Sequence, residues 1–494
     1  MLRMPTDTSF DALRDPSALA RPVCVALDGT LVATQLFSER VALLFRQRPW
    51  VALALPFWML SGTTRLKRRV AQSSKLDATF LPYRRPLIAS LQVCRDSGRK
   101  VVLAGSADPE LAERVARHLN LFDAVHVSDP NAAPGVNAQV IAAAFPDGFD
   151  YIGHSQADRP ALTSAKRGFL VGAAPSAVSA LGDLKHVQVL SRRPSILRAL
   201  IKELRPHQWA KNALVVVPAM LADVHAFSTV AYGILAAGTF SLCASAGYVF
   251  NDLLDLDADR IHPSKAKRPF ASGALPTIFG FPIFIALLLV SFTLAFTFLP
   301  NAFVTMLALY FVGTVSYSLY LKRLLLLDVL VLAGLYTHRI LAGGIASGVR
   351  VSAWLLGFSM FLFTSLAFAK RFVELHALVS DEQVKNRGYS RVDLPMVTGM
   401  GTASGYVAAL VFMLYVDSST VRAAYREPSL LWLVLPALLY WLGRIWLLAG
   451  RGQMQEDPVK FALSDRKSLT CVALIGVIVV TARFTPDWLV TLLR

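Results

Sequence analysis

Four carboxylates and four cations crowd into one short segment of an otherwise apolar chain. The segment NDLLDLDADRIHPSKAKRPFASG covers residues 251–273 and directly follows an apolar run. Asn251, Asp255 and Asp259 are four residues apart, which on a helix places them on one face. Like charges at that spacing destabilise a helix, so a compensating cation is expected. Oxygen ligands suit Mg²⁺, which proteins bind through few carboxylates together with substrate phosphates.

The segment therefore predicts a Mg²⁺ site for a diphosphate substrate. Its ligands would be Asn251, Asp252, Asp255 and Asp259, and we assign Asp255 and Asp259 to catalysis as well. The cations that follow offer positive charge to the same phosphates, and the predicted substrate contacts are Arg260, Lys265 and Arg268. The alternative is a solvated loop that obeys the positive-inside rule. That alternative explains the cations but not the carboxylates.

The composition indicates a membrane protein. The 494 residues are 54% hydrophobic and only 17% charged, and the mean hydropathy is +0.49. A formal charge of +17 typically lies in cytoplasmic loops of such a protein, so a nucleic-acid partner is not favoured. The four cysteines are scattered without a CxxC pair, which indicates neither a disulfide framework nor a zinc site. The N-terminus lacks the apolar region of a cleavable signal peptide.

The pattern changes near residue 190. Residues 1–190 contain short apolar strands such as PVCVALDGTL and KVVLAGS, alternating with amphipathic helices, and this alternation predicts a soluble α/β domain with a parallel sheet. Residues 191–206 are a predicted linker, and residues 207–494 are a predicted transmembrane domain. We predict about nine transmembrane helices, near 208–223, 229–250, 277–299, 302–321, 325–346, 352–369, 397–416, 429–449 and 469–490.

Lysine and arginine set the predicted orientation. If the α/β domain is cytoplasmic, the outer loops hold Arg350, Arg422 and Arg426, and the other loop cations lie inside. This orientation places residues 251–273 in the cytoplasm and predicts a multi-pass protein of the inner (plasma) membrane. The sequence leaves room for a homo-oligomer.

An apolar stretch interrupts the α/β region. WVALALPFWML (50–60) is too short to span a bilayer, and the basic run TRLKRRV (63–69) follows it. This combination suits a hairpin lying on an anionic membrane surface. A buried helix of a cap subdomain is the alternative, and the sequence does not decide between them.

The motif NDxxDxxxD at the end of the second apolar segment resembles the UbiA-type intramembrane transferases. The resemblance covers about residues 200–490 and implies a UbiA-like helical bundle, a Mg²⁺–diphosphate substrate and a hydrophobic tunnel for a polyprenyl chain. A narrower match is to the decaprenyl-phosphate phosphoribosyltransferases. It rests on five motifs in order, RPHQWAKN (205–212), residues 251–273, HRILAGG (338–344), KRFVELH (370–376) and FALSDR (461–466). This branch implies phosphoribosyl diphosphate as donor and a polyprenyl phosphate as acceptor.

Further site residues follow from this resemblance. The QWxKN motif assigns Lys211 to catalysis and phosphate binding, with Asn212 beside it, although an interfacial Lys can also snorkel. Lys370, Arg371 and Glu374 stand where aromatic prenyltransferases of the family carry a second Asp-rich motif, and two cations there suit additional phosphate. The alternative for these cations is a positive-inside loop with a helix-end cap. Arg339 lies within an apolar segment, where an arginine indicates function with a partner such as a phosphate or an Asp.

The N-terminal region resembles a degenerate haloacid dehalogenase-like phosphatase, through VALDGTL (25–31), LAGSAD (103–108) and YIGHSQAD (151–158). That family implies an Asp nucleophile, a Ser or Thr, a Lys and a metal-binding Asp. The corresponding positions here are Ala26, Gly105, Pro134 and His154, although Ser106 neighbours the second. Without a carboxylate at 26 no phosphoryl-enzyme forms, so we expect an inactive domain that keeps Asp28 and Asp158.

The sequence therefore predicts a polytopic α-helical membrane protein with an N-terminal soluble α/β domain. The expected activity is Mg²⁺-dependent transfer of 5-phosphoribosyl to a polyprenyl phosphate. Two alternatives stay open. One is an aromatic polyprenyltransferase that uses a polyprenyl diphosphate donor, of the 4-hydroxybenzoate type. The other is a non-catalytic membrane scaffold, against which the carboxylate ladder argues.

Overall fold

The computed structural model describes residues 8–14, 19–52, 54–128, 135–221, 227–378, 388–454 and 457–485. The chain forms two compact units. The first comprises Met1–Leu204 and Tyr248–Phe284, and the second comprises Arg205–Gly247 and Ile285–Arg494. The Asp-rich segment belongs to the first unit, together with the N-terminal α/β region.

The first unit contains a parallel sheet. Its strands are β1 Val23–Ala26, β2 Val101–Ser106, β3 Ala124–Ser128, β4 Asp150–Gly153, β5 Arg167–Ala173 and β6 Val187–Arg192. Their order is β3-β2-β1-β4-β5-β6, and every pairing is parallel. The chain reverses its direction of travel across the sheet between β1 and β4, and the crevice at the carboxyl ends of two such strands is where open α/β sheets bind ligands. The predicted α/β region is confirmed.

Both faces of the sheet are buried, which explains why its central strands are continuous apolar runs. Val25 and Leu103 pack into one cluster with surrounding helices, and Cys24, Val102 and Tyr151 pack into another on the opposite face. The helices of this region are α1 Leu36–Gln47, α2 Pro49–Ala52, α3 Leu55–Leu60, α4 Thr63–Ser73, α5 Arg85–Asp96, α6 Pro109–Leu119, α7 Val136–Ala144, α8 Arg159–Ser164, α9 Pro175–Ala180 and α10 Ile196–Leu204.

The remainder of the described chain is almost entirely helical. Its helices are α11 Val217–Leu221, α12 Phe227–Leu254, α13 Leu256–Ile261, α14 Gly280–Phe298, α15 Asn301–Leu319, α16 Leu327–Ser347, α17 Ala353–His376, α18 Leu394–Val416, α19 Ser419–Ala424, α20 Val434–Gly450, α21 Pro458–Ser464 and α22 Arg466–Phe484. Within the described residues, eight helical stretches are long and apolar enough to cross a bilayer. They correspond to eight of the nine predicted segments.

The first predicted segment, 208–223, is not one continuous helix. A 3₁₀ helix covers Pro206–Val215, the short α11 follows, and residues 222 and 223 lie outside the described residues. Pro218 has no backbone N–H to donate to the preceding turn, so the α-helical hydrogen-bond ladder cannot run through this position. Hydropathy alone does not register such a break.

Asp465 defines the start of α22. Its side chain accepts a hydrogen bond from the Ser468 backbone N–H at 2.8 Å and receives both terminal nitrogens of Arg444, at 2.6 and 3.0 Å. These hydrogen bonds from Arg444 hold the pKa of the Asp465 carboxyl at about 2. The Asp of the FALSDR motif therefore has a structural task, as the cap of the last described helix.

Gly343 of the HRILAGG motif allows close backbone packing in the second unit. A Cβ atom there would collide with the carbonyl oxygen of Val215, whereas a Cβ on Gly334 of the same helix would meet nothing within 4 Å. We therefore expect Gly343→Ala to destabilise the purified protein by about 1–3 kcal/mol through overpacking. Gly334→Ala should be neutral or slightly stabilising. Thermal unfolding in detergent measures both variants, and equal melting temperatures would contradict this packing role.

Candidate functional site

The Asp-rich segment runs from the end of α12 into α13. The Asp255 backbone N–H donates to the Asn251 carbonyl oxygen at 2.9 Å, and the Asp259 N–H donates to the Asp255 carbonyl oxygen at 2.8 Å. The i→i−4 pattern therefore continues across the join between the two helices. Residues four apart on such a path lie one above the other, as the sequence spacing predicts.

Arg268 joins two carboxylates of this segment. Its Nη1 atom donates to Asp252 Oδ1 at 3.0 Å and to Asp259 Oδ2 at 2.5 Å. Both carboxylates are buried, with side-chain exposures of 1% and 3%. Burial raises the pKa of Asp259, and the charges of Arg268 and Lys265 oppose that rise. Positive charge is thus needed here to keep two buried carboxylates ionised side by side.

The donors of this segment fit a Mg²⁺–diphosphate group. Among the described residues, no three Asp, Glu, His or Cys side chains are arranged to hold a metal ion by themselves. Mg²⁺ needs fewer, because it takes one or two carboxylates and completes its shell with water and phosphate oxygens. Asp252 and Asp259 already share one cation, the guanidinium of Arg268. Asn251 and Asp255 add oxygen donors in the neighbouring turns.

Arg260 lies apart from this pair of carboxylates. Its guanidinium is directed into the α/β region, where Nη1 donates to the Phe80 carbonyl oxygen at 2.9 Å and Nη2 donates to both carboxylate oxygens of Glu39 at 3.0 Å. These bonds occupy the group in a buried environment. A phosphate contact for Arg260 stays a prediction, and its observed partners argue against it.

A cationic cluster in the second unit centres on Asp457. The Lys211 ammonium pairs with the Asp457 carboxylate. The positive charge of Lys370 also favours the ionised form of this carboxylate. Burial opposes ionisation of Asp457, but the two lysines outweigh it and lower the pKa of this carboxyl. Asp457 also caps α21 by accepting from the backbone N–H groups of Val459 and Lys460. Asp457 thus brings together positive charge from two separate elements, Lys211 of the 3₁₀ helix and Lys370 of α17.

Asn212 and Arg339 meet beside this cluster. Arg339 Nε donates to Asn212 Oδ1 at 2.9 Å, and Asn212 Nδ2 donates to Ser241 Oγ at 2.9 Å. The remaining Arg339 donors reach Tyr310 Oη at 3.0 Å and the Leu335 carbonyl oxygen at 2.6 Å. Arg339 therefore fixes the 3₁₀ helix that carries Lys211. A direct contact between Arg339 and a substrate stays a prediction.

Arg371 is the centre of a buried ion-pair network. Its Nε atom lies 2.8 Å from Asp328 Oδ2, and its Nη1 atom pairs with Glu374. Asp328 also accepts from Tyr389 Oη at 2.8 Å, and Arg371 donates to Tyr317 Oη at 3.3 Å. The Arg371 side chain is only 1% exposed. The structure therefore brings the predicted Arg371 and Glu374 together, in an arrangement that joins α16 and α17.

Sequence reasoning missed Asp457, Asp328 and Tyr389. A local signal existed for Asp457, because an Asp directly before Pro458 is typical of a helix N-terminus. Its pairing with Lys211 spans 246 residues of sequence, which no spacing rule reaches. Asp328 and Tyr389 are likewise tied to Arg371 by tertiary contact alone.

Asp28, His154 and Asp158 lie at the carboxyl ends of β1 and β4. Asp28 accepts from the Leu36 backbone N–H at 2.7 Å, and burial raises the pKa of this carboxyl. The His154 ring packs so closely on Gly29 that a Cβ atom there would collide with it. Asp158 accepts from Tyr151 Oη at 3.2 Å and from the backbone N–H groups of His154 and Ser155, both at 3.0 Å. Pro134 lies outside the described residues.

The sequence model of the UbiA prenyltransferase family matches residues 213–466, just over half of the chain. The chain belongs to the UbiA prenyltransferase family. This confirms the resemblance drawn from the NDxxDxxxD motif, which lies within the matched range. Together with the eight helices able to cross a bilayer, it makes the chain a polytopic integral membrane protein.

Three curated proteins illustrate what the chain is similar to. The uncharacterized protein y4nM of Sinorhizobium fredii is 34% identical over 92% of this chain and 90% of its own length. The nodulation protein NoeC of Azorhizobium caulinodans is 35% identical over 54% of this chain and 88% of its own length. Decaprenyl-phosphate phosphoribosyltransferase of Mycobacterium tuberculosis is 33% identical over 38% of this chain and 64% of its own length.

A solved UbiA homologue from Archaeoglobus fulgidus, bound to DMAPP and Mg²⁺, aligns with 56% of this chain and 98% of its own length. Its TM-score is 0.42 and its sequence identity is 13%.

The matched UbiA range begins directly after Lys211 and Asn212. It leaves out the whole N-terminal sheet, whereas the match to y4nM is too long to do so. Membership of the UbiA family therefore does not explain the α/β region.

Proposed function

We propose that the chain is a Mg²⁺-dependent transferase that moves 5-phosphoribosyl from phosphoribosyl diphosphate to a polyprenyl phosphate. The observation that carries this proposal is the cationic cluster of Lys211 and Lys370 around Asp457. The two ammonium groups concentrate positive charge in one place, which suits a phosphate group. The similarity to decaprenyl-phosphate phosphoribosyltransferase supports the same assignment.

The Asp-rich segment is assigned to the donor diphosphate. Asn251, Asp252, Asp255 and Asp259 would hold Mg²⁺, which when bound supplies a Lewis acid for the leaving diphosphate. Arg268 adds positive charge at Asp252 and Asp259, and Lys265 adds it at Asp259. Both side chains would contact the diphosphate oxygens.

The second unit is assigned to phosphate binding. Lys211 and Lys370 would hold a substrate phosphate by charge-assisted hydrogen bonds, and Arg339 holds Asn212 and so orients the 3₁₀ helix that carries Lys211. In the reaction an oxygen of the lipid phosphate forms a bond to C1 of the ribose. The bond from C1 to the diphosphate oxygen breaks, and its electron pair leaves with the diphosphate. The attacking oxygen is already anionic, so rate enhancement rests on positioning and charge stabilisation.

The N-terminal region is proposed to be a haloacid dehalogenase-like domain without phosphatase activity. The parallel sheet with Asp28 two residues after the end of β1 and Asp158 after β4 supports the kinship. Ala26 at the end of β1 and the His154 ring over Gly29 support the loss of activity. We place this domain on the cytoplasmic side of the inner membrane.

The deciding experiment compares two donors on purified protein in detergent with Mg²⁺. One reaction contains labelled phosphoribosyl diphosphate and a polyprenyl phosphate, and the other contains a polyprenyl diphosphate and 4-hydroxybenzoate. We expect labelled lipid in the first reaction and its loss with EDTA. Product in the second reaction alone would replace this proposal by aromatic prenyl transfer. No product in either would favour the non-catalytic scaffold.

Lys370→Met is expected to lower kcat/KM for phosphoribosyl transfer about tenfold, because it removes one charge-assisted contact to phosphate. The matched control is Lys467→Met, which removes an exposed lysine at the start of α22 and should leave kcat/KM unchanged. Steady-state kinetics with a fixed lipid concentration measure both variants. An equal response of the two would remove Lys370 from the phosphate site.

A further inference from the structure

Side chains of the α/β region hold the Asp-rich segment within the first unit. On α1, Arg46 donates from both terminal nitrogens to the two carboxylate oxygens of Asp257, at 3.0 and 2.7 Å. A two-point contact of this kind fixes orientation as well as distance. Asp257 stands midway between Asp255 and Asp259, the two carboxylates assigned to catalysis.

A second, buried contact involves Arg260, about one helical turn after Asp257 on α13. Glu39, also on α1, receives Arg260 on both carboxylate oxygens, and their side chains are 3% and 6% exposed. The hydroxyl of Thr277 adds a weak hydrogen bond to Glu39 at 3.4 Å. Removing one member of a buried ion pair leaves the other charge uncompensated, so Glu39 and Arg260 hold each other in place.

The far end of the segment is held by backbone packing. Gly273 has a φ of +76°, and a Cβ atom there would lie 2.8 Å from Ala33 Cβ and 2.9 Å from Thr34 Cγ2. Ala33 and Thr34 belong to the loop between β1 and α1. The same part of the α/β region therefore supports residues 257, 260 and 273, on both sides of the predicted metal ligand Asp259 and of Arg268.

We propose that Glu39 and Arg46 are positioning residues for the metal–diphosphate site. In this proposal the α/β region has no intact phosphatase site. Its role is to fix the positions of Asp255 and Asp259 through contacts to the neighbouring residues Asp257 and Arg260. This inference rests on the proposed function, because it takes the Asp-rich segment as the metal-binding element. It accounts for an α/β region that UbiA membership leaves unexplained.

The test uses the full-length protein with the Arg46–Asp257 pair changed. Arg46→Ala should raise the Mg²⁺ concentration for half-maximal activity about tenfold, the size seen when groups that orient metal ligands are lost. Binding of Mn²⁺ in the presence of phosphoribosyl diphosphate, followed by electron paramagnetic resonance without turnover, should weaken by a similar factor. The charge-swapped double variant Arg46→Asp with Asp257→Arg should recover most of both losses.

The control is Arg95→Ala, which breaks a surface pair with Asp123 on the same α/β region. It should change neither the Mg²⁺ dependence of activity nor the binding of Mn²⁺. If Arg46→Ala and Arg95→Ala have the same Mg²⁺ dependence and the same Mn²⁺ binding, the positioning role is overturned. Glu39→Gln, which keeps the shape of the side chain, provides a second variant of the buried contact. If the wild-type protein uses a prenyl diphosphate instead, the proposed function fails. The positioning role is still measured with that donor, since it also carries a diphosphate.

An independent observation concerns the helical hairpin α2–α3 and the basic helix α4. The hairpin exposes Trp50, Phe57, Met59 and Leu60, with exposed fractions of 72%, 73%, 66% and 88%. On the inner side, Trp58 and Leu66 pack against α1. The hairpin therefore has a packed inner face and an apolar outer face, which the cap-helix alternative does not explain.

The helix that follows the hairpin, α4, is basic. Arg65, Lys67, Arg68 and Arg69 are exposed on α4, and the Arg69 guanidinium lies 5.9 Å from the centre of the Trp58 ring. An apolar tip beside a basic helix is complementary to the interface of a bilayer that contains anionic lipids. A bilayer is also the one apolar phase always present around an integral membrane protein. We infer that the α2–α3 hairpin, together with α4, inserts into the anionic lipid interface.

The test places an environment-sensitive fluorophore on Phe57→Cys in the full chain, in a Cys471→Ser background because Cys471 is the one native cysteine that is not buried. In nanodiscs with phosphatidylglycerol the emission should shift to the blue and be quenched by headgroup nitroxide lipid. The same fluorophore on Gln92→Cys, an exposed residue of α5, should show neither effect. Arg65→Glu with Arg68→Glu should weaken both effects at position 57.

A water-exposed signal from position 57 in anionic nanodiscs would overturn membrane insertion. A blue-shifted emission that nitroxide lipid does not quench and that disappears on dilution would also overturn it. Such a signal would show that the hairpin contacts a second copy of the chain.

Discussion

Asp255→Asn is expected to lower the rate of transfer about 100-fold or more. The substitution keeps the size of the side chain but removes a negative charge from the predicted Mg²⁺–diphosphate site, and losing one electrostatic contact in an active site commonly has an effect of this size. The loss should appear in kcat and should be only partly restored by raising Mg²⁺. Initial rates across a range of Mg²⁺ concentrations measure both effects.

Asp417→Asn is the matched control, because Asp417 is an exposed carboxylate paired with an exposed arginine at the end of α18. Its rate should equal that of the wild type. Unchanged transfer by Asp255→Asn would remove the Asp-rich segment from catalysis. A scaffold makes a different prediction, since the cellular role of the protein would then survive Asp255→Asn.

Sequence reasoning located the Asp-rich segment and its helical spacing because both depend on neighbours four residues apart. The eight helical stretches able to cross a bilayer followed from long apolar runs, and the parallel sheet followed from short ones. The first predicted span was wrong as a continuous helix because a 3₁₀ helix and Pro218 interrupt an otherwise apolar run. The helical spacing and the apolar runs are local patterns, so the sequence contains them directly.

Contacts over long distances in sequence account for what was missed. The sequence predicted phosphate contacts for Arg260 and Arg371, yet the structure gives each a buried carboxylate, Glu39 and Asp328. A cation in a polar motif has the same appearance in sequence whether it meets a substrate or a carboxylate of the fold. Deciding between them requires knowing which side chains are brought together, as with Lys211 and Asp457.

The basic residues of the second unit therefore fall into two groups, and the division runs between the neighbouring residues Lys370 and Arg371. Lys211 and Lys370 place two positive charges around Asp457. Arg371 faces two carboxylates, Asp328 and Glu374, and two tyrosine hydroxyls join the network. We accordingly expect substrate effects from the lysines and stability effects from Arg371, although both were assigned to substrate from the sequence.

Arg371→Met is expected to destabilise the protein by about 3–5 kcal/mol, because it leaves Asp328 as an uncompensated buried charge. The variant should give little folded protein and a lower melting temperature in detergent. Arg422→Met, which breaks an exposed pair at 66% and 72% side-chain exposure, should change the melting temperature little.

The double variant Arg371→Met with Asp328→Asn separates a structural role from a substrate contact. Removing both charges of a buried pair is often close to neutral, so folded protein should return. If Arg371 serves the fold alone, the recovered double variant should also regain transfer with a KM for phosphoribosyl diphosphate close to that of the wild type. If Arg371 contacts phosphate as well, stability should return while KM stays raised. A normal melting temperature for Arg371→Met alone would instead show that the Asp328 pair contributes little to the fold.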